Sequence, residues 1–412
     1  MINETILLLT PYEDCSQHRV AKRVSYRLVL SVPIHFCFFL PLQDMFSRII
    51  LYDYWKRCLE VGIEGANQEI TEIVRKEQPK YVLWVAIGQY YEVKLSTFDA
   101  IRKEGSIVVG WLFDVNIRFH YYSKWLVPYV DYFIVDDREA VGKFRTLGAW
   151  ATQAICTGKA MELDWSMPKE IHEISFVGRF YGNRRDYIKK IQDMNFPIHL
   201  FGASAGKFVT YQEMNHIFST SKINLNFSMD FKNQKLAIKA RIFEVCLAGG
   251  FLLTEYFPGI EAHFDLGKEI VCFTNTREMI EKITFYLHHE EERRLIAKAG
   301  WERARKEYSA YRILFRVFQE IEEDISNGIK RVPAKRSMPF YMRRRVSKFY
   351  RDWGQAFLAE NHYGLWKDAL ALSISYNPLS IAAWFYRMIS LLPNHLFWAI
   401  QDKMHKWIAR SK

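Results

Sequence analysis

Short apolar runs without polar alternation recur through the first 330 residues, each separated from the next by a stretch with helical spacing. Strands of that kind are buried on both faces, so they belong in a parallel sheet covered by helices on both sides. Ile6–Leu9, Ile49–Tyr52, Tyr81–Ala86, Ile107–Trp111, Tyr132–Val135 and Gln153–Cys156 are the expected strands of a first series. Helices are expected over Leu95–Lys103 and Ala140–Leu147, and Ile70, Ile73 and Val74 repeat at helical spacing until Pro79 stops them. The pattern then restarts, with strands at Ile174–Val177, Ile198–Phe201, Lys222–Asn226, Phe251–Thr254 and Glu269–Phe273. Helices over Asn183–Met194, Tyr211–Phe218, Lys239–Leu247 and Arg277–His288 separate them, and helix-rich sequence follows, in which Leu295, Ala299, Trp301 and Ala304 form one apolar stripe. Two successive Rossmann-like α/β units of about 150 residues each fit the common domain size. The expected boundaries are residues 1–165, 166–330 and a helical extension over 331–412 that contains an αα-hairpin about Asn377-Pro378.

The net charge of +11 belongs almost wholly to that extension. From Arg331 onward there are 14 basic and 4 acidic residues, whereas the remainder holds 43 basic and 42 acidic. A near-neutral main body argues against nucleic acid as a partner. The cluster Arg343–Arg345, with Phe340, Tyr341, Phe349 and Tyr350 around it, reads either as a solvated basic face or as a contact for anionic lipid headgroups. The six cysteines lie far apart without a CxxC pair, which points to reduced packing residues and to no metal site. No run reaches the roughly 20 apolar residues of a membrane span, and Leu28–Leu42, broken by Pro33, His35 and Pro41, is expected to be a buried segment. The first ten residues lack the cationic start of a secretory signal, so a cytoplasmic protein, peripheral at most to the membrane, is expected.

In doubly wound sheets ligands bind beyond the carboxyl ends of the strands, which directs attention to the residues that follow them. Lys239-Ala-Arg-Ile-Phe-Glu-Val-Cys-Leu-Ala-Gly-Gly is a short helix closed by a glycine break before a buried strand. Its start offers unsatisfied N–H groups to an anion, Lys239 and Arg241 add full charges, and the two oxygens of Glu244 suit the hydroxyls of a ribose. The plain alternative is a surface helix ended by Gly249-Gly250, with Glu244 in water. Earlier, Phe176-Val-Gly178-Arg179-Phe-Tyr-Gly-Asn-Arg184-Arg185 sets glycines just after a strand, where a phosphate can approach, and arginines to bind it; an ordinary turn is the alternative.

The stretch from Phe176 to about Arg312 resembles the C-terminal domain of CgeB-like glycosyltransferases of the GT-B superfamily, related to its family 4 enzymes. FVGRFYGNRR, SKINLNFS, KARIFEVCLAGGFLLTEYFPGIEAHFDLGKEIVCF and EEERRLIAKAGWERARKEYSAYR carry the resemblance, and QPKYVLWVAIG and GWLFDVNIRF give a looser match earlier. The resemblance implies a GT-B fold, two Rossmann-like domains facing a cleft, with the extension outside it. It implies sugar transfer, of hexosyl type, from a UDP- or GDP-linked nucleotide-diphosphate donor to a hydroxyl on a glycan or lipid-linked acceptor. It also implies no metal and no further cofactor, and a setting in bacterial surface polysaccharide or spore-coat glycan assembly. Arg179 and Arg184 match positions expected near the donor phosphates, and Gly178, Lys239, Arg241 and Gly249, from the residues themselves, join them and Glu244 as candidate donor-binding residues. Glu244 matches the second glutamate of the superfamily's paired motif, while the first, eight positions earlier, is Leu236 here.

An inverting transfer needs a base for the acceptor hydroxyl. His18, after the first strand, and Asp114, in GWLFDVN, are the candidates; a surface histidine and a turn or helix-capping aspartate are their plain counterparts. Asp136-Asp137 comes nearest to a DxD triplet without forming one. Two other functions remain open on sequence alone. One is a nucleotide-sugar epimerase on the same scaffold, and the other a non-catalytic member that works through its basic tail.

Overall fold

The computed structural model describes residues 2–12, 34–86, 93–113, 115, 119–120, 123–160, 170–207, 209–229, 236, 238–328, 338–359 and 363–391. The chain forms two compact units, one of residues 1–34, 46–154 and 321–412, the other of residues 35–45 and 155–320. Both carry wholly parallel sheets, and the architecture is the one expected: two Rossmann-like α/β units, as the resemblance implied, and a helical C-terminal region, as read from the residues.

The sheet of the first unit has the order β2-β1-β3-β4-β5-β6. Its strands are β1 (Ile2–Leu9), β2 (Phe46–Tyr52), β3 (Tyr81–Ala86), β4 (Ile107–Leu112), β5 (Tyr132–Val135) and β6 (Trp150–Gln153). Every residue of β3, Tyr-Val-Leu-Trp-Val-Ala, is buried, as a central strand covered on both faces requires. The sixth strand lies three residues before the expected Gln153–Cys156. Pairing with β5 begins at Tyr132 opposite Trp150 and ends at Val135 opposite Gln153, so position in the sheet overrides the later apolar run. Of the helices that join these strands, α2 (Tyr54–Glu77) follows β2, α3 (Leu95–Lys103) precedes β4 and α4 (Arg138–Arg145) follows β5. Asp137 caps α4, accepting from the amides of Glu139 and Ala140 at 2.7 and 3.3 Å, which gives this aspartate a structural task.

The second unit takes in α1 (Leu40–Met45), which follows a π-helical turn at His35–Phe39. Ile34, Cys37, Phe38 and Leu42 are buried, as expected for the part of Leu28–Leu42 that is described. The sheet has the order β11-β10-β9-β7-β8, built from β7 (His172–Val177), β8 (Ile198–Phe201), β9 (Ser221–Asn226), β10 (Leu252–Glu255) and β11 (Val271–Phe273). Its helices are α5 (Arg184–Asp193), α6 (Tyr211–Ser219), α7 (Ala240–Leu247), α8 (Thr276–His288) and α9 (Glu290–Glu307). The stripe of α9 differs from expectation: Leu295 is exposed, and Ile296, Ala297, Gly300, Trp301 and Ala304 are buried. A close approach rotates the helix, since a Cβ on Gly300 would stand 2.3 Å from the Glu269 carbonyl oxygen.

After α10 (Ala310–Ser326) the chain belongs to the first unit. Val346, Tyr350 and Leu358 of α11 (Phe340–Ala359) and Leu365, Trp366, Ala369 and Leu370 of α12 (Tyr363–Tyr376) join one core with Leu7, Trp84 and Phe98. A short helix, α13 (Ile381–Ile389), follows. The C-terminal helices are pinned at a kink in α2, where Gly62 takes φ +79° and ψ 170° and frees the next amide. Asp368 of α12 caps it, accepting from the Ile63 N–H at 3.0 Å. Among the described residues no helix is long and apolar enough to cross a membrane.

Loss of this cap is expected to cost about 1 kcal/mol, the usual value for a helix cap. Asp368→Ala should therefore lower the melting temperature of the full chain in calorimetry. Gly62→Ala should lower it further, because a Cβ at that φ is strained and lies 2.5 Å from the Asp368 carboxylate. Unchanged melting in both variants would show that the kink and its cap do not hold the hairpin.

Candidate functional site

From β7 the second unit's chain moves to β8 on one side and to β9 on the other, so the strand order reverses between β7 and β9. A crevice opens at such a reversal, beyond the carboxyl ends of the strands. Gly178 follows β7 there. Its amide donates to the Phe201 carbonyl at 3.0 Å, and a Cβ on Gly202, at φ +103°, would stand 2.7 Å from the Gly178 carbonyl oxygen. The two strand ends thus meet backbone to backbone, and only glycine allows it. Ser204 Oγ accepts from the Phe180 amide at 2.9 Å and fixes the loop that follows.

Arg184 opens α5 and is buried. It donates to the Arg179 carbonyl at 3.1 Å and to the Phe227 carbonyl, just after β9, at 2.9 Å, while its guanidinium lies 3.8 Å from the centre of the Tyr181 ring. Burial pushes its pKa below the ordinary value. This arginine ties the β7 loop to the end of β9, and Arg179, half-buried, sits on that loop.

A column of polar side chains runs along β9 and its neighbours. Asn224 accepts from Ser175 Oγ at 2.8 Å and donates to the Phe218 and Phe251 carbonyls, and Asn226 donates to Thr254 Oγ1 at 2.9 Å. At the top stands Glu255, buried at the end of β10. One of its oxygens accepts from Asn183 Nδ2 at 3.1 Å and the Tyr187 hydroxyl at 3.2 Å. The other accepts from the amides of Ser228 at 2.8 Å and Met229 at 3.2 Å. Sequence reasoning missed this residue. Its signal was an acid closing an otherwise apolar strand, Phe-Leu-Leu-Thr-Glu.

The helix α7 leads back from the same rim toward β10. Lys239 is its N-cap, in extended conformation and without a side-chain capping bond. The surface-helix alternative fails, because Ile242 to Leu247 are all buried, Glu244 among them. Arg241 pairs with Glu244 at 2.8 Å, contacts Met214 Sδ and lies 5.3 Å from the Phe218 ring centre. Its charge and that of Glu255 both act on Arg184, so the two sequence-predicted clusters share one electrostatic neighbourhood. Gly249, at φ +74°, ends the helix, and Gly250 lets it approach β9: a Cβ there would lie 2.6 Å from both the Phe218 carbonyl oxygen and Asn224 Nδ2.

Residues from the N-terminal third complete this corner. Phe36 stacks on Tyr211 with centroids 4.5 Å apart. Burial, a hydrogen bond with Cys156 and the charge of Glu244 together push the Cys37 thiol well up. Burial and then the neighbouring Cys37 raise the Tyr211 hydroxyl, with Glu244 adding to it. Leu236, eight positions before Glu244, bridges to Met229 and packs on the core around α7. His18 and Asp114 lie outside the described residues. Among the described residues no group of three His, Cys, Asp or Glu side chains is arranged to hold a metal ion.

Residues 176–317 match the glycosyl transferase-like family model. That match spans the whole rim from β7 through α7 and Glu255 to α10. A search of curated proteins found no match. Among solved structures the chain is similar to the GtfA/B complex, at 11% identity and a TM-score of 0.42, covering 63% of this chain and 60% of that one. It is also similar to sucrose-phosphate synthase from Thermosynechococcus elongatus, at 9% identity, TM-score 0.48, and 79% and 100% coverage. A third is Anabaena HepE in complex with UDP, at 12% identity, TM-score 0.46, and the same coverage.

Removing the Glu255 carboxylate strands the buried Ser228 amide, the half-buried Met229 amide and two side-chain donors, at about 1–3 kcal/mol for each unsatisfied buried group. Glu255→Ala is accordingly expected to destabilise the second unit by several kcal/mol in denaturant unfolding. Glu255→Gln, which keeps an acceptor, should cost less. Equal and small effects would mean that the carboxylate does not hold the rim.

Proposed function

We propose that the chain is a glycosyltransferase of GT-B type, CgeB-like in its donor domain, that moves a hexosyl group from a UDP- or GDP-linked donor to a hydroxyl acceptor. The observation that carries this reading is the pairing of half-buried Arg241 with buried Glu244 at the start of α7, set beside the β7/β9 reversal within the segment that matches the glycosyl transferase-like model. The donor diphosphate would lie across Gly178–Arg179 and the first turn of α7. There N–H dipoles with Lys239 and Arg241 stabilise the charge that grows on the departing diphosphate. Glu244 would hold the ribose hydroxyls. In this reading the protein itself carries the leaving-group charge, and the nucleotide sugar is the one co-substrate proposed.

On the acceptor side, Asp114 or His18 would take the hydroxyl proton. The acceptor class proposed is a glycan or lipid-linked glycan of a bacterial surface, met in the cytoplasm. A second reading, a non-catalytic GT-B scaffold, draws on Leu236, an apolar side chain where the superfamily's first donor glutamate belongs. An epimerase would differ by converting the donor without any acceptor.

Nucleoside diphosphate release from a panel of nucleotide sugars, with and without a bacterial glycan extract, tests these readings. Extract-dependent release from one donor is expected. Glu244→Gln should raise the donor KM about 10- to 100-fold, as for loss of a hydrogen bond to a charged group. An unchanged KM would overturn the ribose assignment; conversion of the donor sugar to its epimer without diphosphate release and without extract would favour epimerisation, and neither release nor conversion with any donor the scaffold.

A further inference from the structure

The apolar side chains of α13 point outward. Ala383 and Ile389 are buried, whereas Ile381, Trp384, Phe385 and Met388 recur at i, i+3, i+4 and i+7 and remain 84%, 48%, 52% and 67% exposed. Leu379 and Leu391 extend the stripe at its two ends with 77% and 71% exposure. A contiguous apolar surface of this kind marks an interaction site. The helix itself is well anchored. Ser380 caps it through the Ala383 amide at 3.3 Å, Trp384 Nε1 donates to the Pro378 carbonyl at 2.8 Å, and Arg387 reaches the Lys367 carbonyl at 3.4 Å.

Cations lie near the turn that leads into this helix. Arg343, Arg344, Arg345 and Lys348 are exposed on α11. Arg343 donates to the Tyr376 and Ser375 carbonyls at 3.1 and 3.3 Å, which brings the basic start of α11 against the turn that carries Leu379. Phe340 and Tyr341 are exposed on the same helix start. Among the described residues of 338–391 the acids are Asp352, paired with Arg351, and Asp368, engaged by the Ile63 amide. Neither answers the arginine row.

We propose that this face docks onto an anionic lipid surface, with α13 lying in the bilayer interface and the α11 cations on the headgroups. An apolar stripe flanked by cations is the composition of an interfacial helix. A second copy of the chain is the poorer occupant, because it would bring the same cations against one another. The docking does not depend on donor chemistry, so it stands or falls apart from the proposed transfer.

Cosedimentation of the full chain with vesicles tests it, using phosphatidylcholine alone and phosphatidylcholine with phosphatidylglycerol. Binding is expected to the anionic vesicles and to weaken as salt rises. Arg344→Ala with Arg345→Ala should weaken partition about thirty-fold, the equivalent of about 1 kcal/mol for each cation near the surface. Ile381→Ser with Phe385→Ser and Met388→Ser, all at exposed positions, should abolish pelleting while melting stays at the wild-type temperature. Equal pelleting with neutral and anionic vesicles, or anionic binding that survives both sets of substitutions, would overturn the proposal. So would a concentration-dependent dimer in sedimentation velocity that the triple substitution dissolves while vesicles are not bound.

Discussion

The buried carboxylate of Glu255 stands at the meeting point of three chain segments. It takes a side chain from the β7–α5 loop, a hydroxyl from α5 and two amides from the segment after β9. A buried charge is costly unless its acceptors are fully used, so these partners must remain in place for the unit to fold. Arg184 repeats the device with opposite charge, joining the carbonyls of Arg179 and Phe227. Together the two residues fix the carboxyl rim of the sheet across its point of reversal. A fixed rim is what a phosphate-binding loop requires, because backbone donors help a ligand only when they are already aimed.

Close approach is the second constraint. Gly178 against Gly202, Gly250 against Phe218 and Gly300 against Glu269 are each places where a Cβ would stand under 3 Å from backbone, and each draws a helix or loop down onto the strand ends. The first unit uses different means. Its C-terminal helices finish its core through Trp366 and Tyr350, and Asp368 caps the amide that the Gly62 kink exposes. The segment over 331–412 that composition marks as an appendage thus contributes helices to that unit's interior.

The central strands were legible because a parallel sheet covered on both faces demands uninterrupted apolar residues, and Tyr81–Ala86 and Tyr132–Val135 supply them to the residue. An edge strand with a half-polar sequence, Trp-Ala-Thr-Gln, gave no such signal and was displaced by three positions. Helix α7 was legible from its glycine break, and its burial turned Glu244 from a solvated acid into a paired one. The role of Glu255 was not readable, since its four donors come from positions up to 72 residues away. Nor was the union of residues 35–45 with the second unit, which rests on contacts such as Phe36 with Tyr211. The exposed stripe of α13 has a core helix's periodicity, and only three-dimensional packing distinguishes the two.

The proposed transfer requires that the carboxyl rim of the second unit receive a nucleoside diphosphate. Thermal unfolding of the full chain with UDP, GDP, CMP and ADP tests it most directly, because a ligand at a hundred times its dissociation constant stabilises by about 2.7 kcal/mol. UDP or GDP is expected to raise the unfolding temperature, while the corresponding nucleoside, lacking phosphates, leaves it unchanged. Unfolding that no nucleoside diphosphate shifts would contradict it.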